Sequence, residues 1–224
     1  MPLPPQSDAS SDDPDAVRRH APAVRLNRAP ILAALDEILP RRGTVLEVGS
    51  GTGEHAAYFA RHLSRLAWQP SERSDELLAS ISAWREGSDG QRPLPNLLPP
   101  MQLDLDLPEW PEVAGSTVAY PVAVVAINLV QAMPWSTVER LFDGAGKLLA
   151  PERVLYLYGP FRREGRHVSA GNEQLDRDLK SQYSDWGVRD LEALAELGAT
   201  GWLDLTEVIH MPNNNFSLVF VRRR

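Results

Sequence analysis

The densest chemical signal in the chain is the run Val45-Leu46-Glu47-Val48-Gly49-Ser50-Gly51-Thr52-Gly53-Glu54-His55. An apolar stretch leads into glycines at alternate positions, and a helix-forming segment follows. In a doubly wound fold such a turn lies just past the carboxyl end of a strand, where glycine admits a tight turn and a close ligand. The spacing predicts a nucleotide-type ligand. A dinucleotide fingerprint, G-x-G-x-x-G, seats a pyrophosphate on the helix N-terminus. Here the third glycine arrives one residue early, and Glu47 and Glu54 bracket the turn. Carboxylates repel a pyrophosphate, which leaves an NAD-dependent oxidoreductase as the weaker expectation. S-adenosylmethionine has no phosphate and carries an ammonium and a sulfonium. Glu47 suits that ligand, holding its amino group directly or through water.

Further candidates follow the same logic. Glu72 ends Trp68-Gln69-Pro70-Ser71-Glu72, about 20 residues past the turn, where a carboxylate can accept both ribose hydroxyls. That geometry serves NAD equally and so supports adenosine rather than one cofactor. Asp104, within Leu103-Asp104-Leu105-Asp106, is placed to accept the adenine amino hydrogens with a leucine against the ring. The expected cofactor contacts are therefore Glu47, Gly49, Ser50, Gly51, Gly53, Glu72, Asp104 and Asn128.

Methyl transfer asks a protein to align a nucleophile, exclude water and sometimes remove a proton. Asn128 and Tyr158 fall at the ends of the fourth and fifth predicted strands, and His167 in the polar connection beyond. These are the catalytic candidates, against the plainer readings of a strand-end cap, a core tyrosine and a surface histidine. Tyr158 and His167 also count as acceptor-pocket candidates, with Arg25 and Asn27 from a segment that would fold over the cofactor. Arg162, Arg163 and Arg166 form a basic cluster able to meet an acidic substrate, or simply a solvated charge run. Trp135 and Trp186 are candidates to cover an apolar pocket. His55 and His62 share a helical face without a carboxylate to complete a metal triad, so no metal is expected. Asn128-Leu129-Val130-Gln131 is not the Asn-Pro-Pro-aromatic turn of nucleic-acid base methylation.

The elements that must position these groups alternate. Helical spacing covers Ile31, Leu32, Leu35, Ile38 and Leu39, with Asn27 as candidate cap and Pro40 and Gly43 as the stop. Strands are predicted at 44–48, 66–69, 101–103, 121–127 and 154–158, with helices at 54–63, 74–84 and 135–149 between them. Residues 87–100 read as a loop and 159–188 as irregular, with a helix near 173–181. A helix over 190–197 ending at Gly198 precedes strands at 202–209 and 216–221. This order implies an α/β doubly wound, mostly parallel sheet with an antiparallel strand at the end. Residues 1–20, rich in Pro, Ser and Asp, read as a disordered tail, and 21–224 as a single domain.

Composition narrows the partners. Of 224 residues, 43% are hydrophobic and 24% charged, enough for a sizeable core. The net charge of −7 disfavours duplex nucleic acid. Cysteine is absent, which removes disulfides, thiolate metal sites and cysteine nucleophiles. The apolar stretch 118–130 is broken by Tyr120, Pro121 and Asn128 and falls short of the roughly 20 residues of a membrane helix. With no signal pattern at the N-terminus, the expected location is the cytoplasm, without membrane association.

Together these segments resemble the class I S-adenosylmethionine-dependent methyltransferases, and most closely the methyltransferase-like domain-of-unknown-function 938 family. The likeness runs from about Ala21 to Arg222. It rests on Ala21-Pro22-Ala23 with Asn27 and Pro30-Ile31-Leu32, the segment 46–55, and Trp68-Gln69-Pro70-Ser71-Glu72. Later pieces are Tyr158-Gly159-Pro160-Phe161, Gly165-Arg166-His167, Trp186-Gly187-Val188-Arg189-Asp190, and Met211-Pro212 with Asn214-Asn215. The resemblance implies a seven-stranded Rossmann-like sheet whose last strand is antiparallel, S-adenosylmethionine as cofactor, and methyl transfer to a small molecule or protein side chain. Two positions depart from the pattern: Arg25-Leu26 stands where the family has Glu-Arg, and Gln131 where it has His. Those departures keep open a catalytically silent cofactor-binding interaction module.

Overall fold

The computed structural model describes residues 17–87 and 92–224. Its strands are β1 (Thr44–Glu47), β2 (Ala67–Glu72), β3 (Met101–Gln102), β4 (Ala123–Ile127), β5 (Val154–Gly159), β6 (Phe161–Arg162), β7 (Arg189–Asp190), β8 (Leu203–Met211) and β9 (Asn215–Arg222). Seven of them form one sheet in the order β3-β2-β1-β4-β5-β9-β8. The first five run parallel, and β9 runs antiparallel to both β5 and β8. Only three residues join β8 to β9, too few for a parallel crossover, so the reversal is dictated locally. β6 and β7 form a separate two-stranded ladder.

The helices are α1 (Pro22–Ile38), α2 (Glu54–His62), α3 (Asp75–Glu86), α4 (Trp110–Thr117), α5 (Trp135–Leu148), α6 (Ala170–Gln182) and α7 (Leu191–Thr200). β4 and β5 are buried along their whole length, as strands covered by helices on both faces must be. Successive side chains alternate between two apolar layers. Leu46, Val124, Leu155 and Leu157 face Ala114 of α4, Leu141 and Phe142 of α5, and Leu194 of α7. Val45, Val125 and Tyr156 face Ile31 and Leu35 of α1, Phe59 of α2, and Trp84 of α3. Strand order reverses between β1 and β4, and the crevice at their carboxyl ends is where such sheets bind ligands.

The structure corrects several sequence expectations. α1 starts at Pro22, whose fixed φ suits a first helical position, so Asn27 lies inside the helix and caps nothing. Gly198 does not end α7. It sits within the helix because a Cβ there would lie 2.5 Å from the Leu203 carbonyl oxygen. α4 and the β6–β7 ladder were not expected. Arg18, Arg19 and His20 belong with the fold rather than with a tail: Arg18 donates to the Ala83 carbonyl at 3.0 Å, the Arg19 amide donates to Ser80 Oγ at 2.9 Å, and His20 packs on Trp84. The rest of the predicted tail and residues 88–91 of the predicted loop lie outside the described residues. No helix among the described residues is long and apolar enough to cross a membrane.

Candidate functional site

β1 feeds the glycine turn directly into α2. Gly49, Gly51 and Gly53 adopt φ of 65°, 54° and 83°, a region that disfavours any side chain. A Cβ at Gly49 would lie 2.6 Å from Leu129 Cδ1, so the turn is pressed against the segment that follows β4. At Gly51 a Cβ would meet nothing within 4 Å. That face opens into space that a side chain would fill. The Ser50 amide donates to the Ser71 carbonyl at 2.9 Å and the Gly51 amide to Glu72 Oε2 at 3.0 Å, fastening the turn to the end of β2.

Glu47 is 2% exposed. Its Oε2 accepts from Trp68 Nε1 at 2.9 Å and from Ser50 Oγ at 3.2 Å. Burial pushes its pKa up to about 7; the two hydrogen bonds pull the other way, and the nearby Glu72 charge adds to the rise. The carboxyl predicted to meet the ligand is thus built into the wall beneath the turn, while Glu72 lies at its rim.

Asp104 follows β3, with Oδ1 accepting from the Asp106 amide at 2.9 Å. It lines a cleft of about 390 Å³ with Arg73, Leu103, Leu107, Trp110 and Val113. Three of these residues come from α4 and the turn before it, and the position of Trp110 depends on Gly144, where a Cβ would lie 2.1 Å from the indole.

Past β4, Asn128 takes φ of 51° and its amide donates to the Tyr158 carbonyl at 2.7 Å. Left-handed backbone at a switch point is a strain that Asn tolerates better than most residues. Tyr158 is 1% exposed, and its hydroxyl accepts from Asn215 Nδ2 at 3.0 Å and from the Asn27 side chain. Asn27 Oδ1 in turn accepts from His55 Nε2 at 2.8 Å. Burial, with the Arg28 charge, lowers His55 to about 4, so the ring is neutral near pH 7. This network ties α1, α2, β5 and β9 together beside the glycine turn. Arg25 is exposed on α1 and joins none of it. His62 is exposed and bonds the Tyr58 carbonyl, apart from the buried His55. Among the described residues no group of three or more His, Cys, Asp or Glu is placed to share a metal.

His167 lies in the connection between β6 and α6. Its Nε2 is 3.3 Å from Asp176 Oδ2, and its Nδ1 is buried without a partner. Asp176, 5% exposed, also accepts from Lys180 Nζ and from the Val188 amide, each at 2.7 Å. Burial raises its pKa, but those hydrogen bonds and the Lys180 and His167 charges outweigh it and hold the carboxyl below its usual range. Sequence reading missed Asp176, Asn215 and the contact role of His55. No spacing signal links Asp176 to His167, since α6 delivers it from the next element.

The fold is the Rossmann-like α/β fold that class I methyltransferases have. Residues 18–222 match the family described as "Protein of unknown function (DUF938)", and the chain belongs to that family. Among solved structures it is similar to an O-methyltransferase family protein from Burkholderia thailandensis (TM-score 0.71, 16% identity, 89% of this chain and 57% of that one). It is also similar to human N-acetylserotonin methyltransferase in complex with SAM (TM-score 0.71, 9% identity, 90% and 53%). A third is the S-adenosylhomocysteine-bound calicheamicin-biosynthesis methyltransferase CalO1 (TM-score 0.65, 16% identity, 87% and 54%). The chain spans just over half the length of each.

Proposed function

We propose that the chain binds S-adenosylmethionine at the Gly49–Gly53 turn and transfers a methyl group to a small molecule or protein side chain. The open face of Gly51, flanked by Glu72 at its rim and Glu47 beneath, carries this reading. Such a cradle admits a cationic adenosyl ligand and repels a pyrophosphate. Two of the similar structures hold SAM or S-adenosylhomocysteine, which supports the same ligand.

When bound, S-adenosylmethionine supplies a methyl carbon already activated by a sulfonium, leaving alignment and water exclusion to the protein. We assign Glu72 to the ribose hydroxyls, Asp104 with its cleft to the adenine, Glu47 to the methionine end, and Asn128 to the rim. His167 takes the acceptor's proton at Nδ1, because Asp176 fixes the Nε2–H tautomer and leaves the other nitrogen's lone pair free. Calorimetry with S-adenosylhomocysteine tests the cofactor site: Gly51→Val and Glu72→Ala each weaken binding at least about tenfold. Equal affinity in both variants refutes it. Transfer of label from S-adenosylmethionine to a cell extract supports an enzyme, and binding without transfer supports the silent module suggested by Leu26 and Gln131.

A further inference from the structure

Three polar atoms near the ends of β4 and β5 are buried with no hydrogen-bond partner: Gln131 Oε1, Arg162 Nε and His167 Nδ1. Gln131 is 6% exposed, and its Oε1 would lie 3.2 Å from a Cβ on Gly159, at the tip of β5. Buried polar atoms in folded proteins are almost always partnered, and orphans gathered in one lobe call for a ligand or water. Contacts join the three into one neighbourhood. The Gln131 carbonyl accepts from the Gly187 amide at 2.9 Å. The next amide, Val188, reaches Asp176, which holds His167. Arg162 lies on β6, laddered to β7, whose Arg189 donates to the Val130 carbonyl at 3.1 Å, next to Gln131.

Acidic side chains also lie near these arginines: Asp176 and Asp185 act on Arg189, and Asp190 stands opposite Arg162 in the β6–β7 register. Among the described residues the Arg189 side chain donates to backbone carbonyls alone, those of Val130, Met133 and Asp185. The Arg162 side chain shows no hydrogen bond or ion pair among the described residues, whereas that of its neighbour in the sequence, Arg163, is paired with Glu192. Burial lowers the pKa of Arg189; Asp176 opposes the lowering, the charge of Arg162 adds to it, and Asp185 opposes it in turn. The basic cluster read from sequence therefore divides: Arg163 is paired, Arg166 is exposed, and Arg162 keeps a buried Nε–H with no hydrogen-bond partner among the described residues. Asp190, opposite it in the ladder, makes no hydrogen bond to that atom.

We infer that the methyl acceptor carries a carboxylate, which Arg162 holds, with its proton-bearing group facing Gln131 Oε1 and His167 Nδ1. This rests on the methyltransferase reading for the word acceptor, but the anion site stands on its own geometry. A guanidinium whose Nε–H is desolvated prefers a carboxylate oxygen to a neutral one, because the charge-assisted hydrogen bond is the stronger. Gln131 adds an acceptor that rewards a hydroxyl or N–H on the same ligand.

The test titrates the full chain with 4-hydroxybenzoate and L-lactate, each against its neutral amide, with and without saturating S-adenosylhomocysteine. Side-chain arginine nitrogen NMR follows the Arg162 Nε–H, identified by its loss in Arg162→Gln. The expected result is a saturable shift of that signal by at least one carboxylate, with at least about tenfold preference over its amide, and loss of the preference in Arg162→Gln. An unmoved Arg162 signal, equal binding of acid and amide, or a preference that survives the substitution overturns the inference. Should Arg162→Gln misfold, Arg162→Lys, which keeps the charge, identifies the signal by the same loss, and an unmoved wild-type signal or equal binding of acid and amide still overturns the inference. Carboxylate binding without S-adenosylhomocysteine binding overturns the methyltransferase reading and keeps the anion site. The reverse overturns only the anion site.

Discussion

Glu47 makes cofactor binding and folding stability depend on pH in opposite directions. Its pKa rises from an ordinary 4.5 to about 7 because the carboxyl is buried. Between those values the folded chain holds a proton that the unfolded chain has released. Stability contributed by Glu47 is thus fully present below about pH 4.5 and is lost as pH rises through 7. At about 1.4 kcal/mol per unit, the loss amounts to roughly 3 kcal/mol. A ligand ammonium beside the carboxyl reverses the balance by favouring the ionised form. Binding then expels roughly nine-tenths of a proton at pH 6 and about one-tenth at pH 8, and affinity is about tenfold weaker at pH 6. Calorimetry with S-adenosylhomocysteine in buffers of different ionisation heat counts the protons directly. Glu47→Gln keeps the shape and removes the charge, so subtracting its profile isolates this group from the histidines. Identical affinity at pH 6 and pH 8 in the wild type, with heats independent of buffer, would refute the reasoning.

Two further outcomes follow from the networks around the site. Asn27→Ala strands His55 Nε2 and removes a donor from Tyr158, both buried, and should cost about 2–4 kcal/mol, read as a lowered Tm. A change below about 0.5 kcal/mol would show that the network carries no stability. His167→Gln removes the proposed base. Once an acceptor is known, kcat should fall by about 10²–10⁴-fold while S-adenosylhomocysteine binding is kept. An unchanged kcat would return His167 to a structural role.

Much of this molecule could be read from local spacing. The glycine turn, the buried strands and the positions of Glu47 and Glu72 follow from short-range rules: glycines where φ is positive, continuous apolar runs where both faces are covered, acids at the carboxyl ends of strands. α4 escaped that reading because Pro111, Gly115, Ser116 and Thr117 are poor helix formers. Its helix is held by Trp110, packed where Gly144 makes room and donating to the Arg140 carbonyl at 3.0 Å. Asn27 shows the same limit: its residue type suits a cap, yet Pro22 starts the helix and frees the carboxamide for His55 and Tyr158. The β6–β7 ladder, the Asp176–His167 pair and the unpartnered Arg162 depend on contacts between elements far apart in the chain. Residue type specifies what a side chain can bind, but only packing decides which partners it is denied, and the chemistry proposed at Arg162 and His167 lies in that difference.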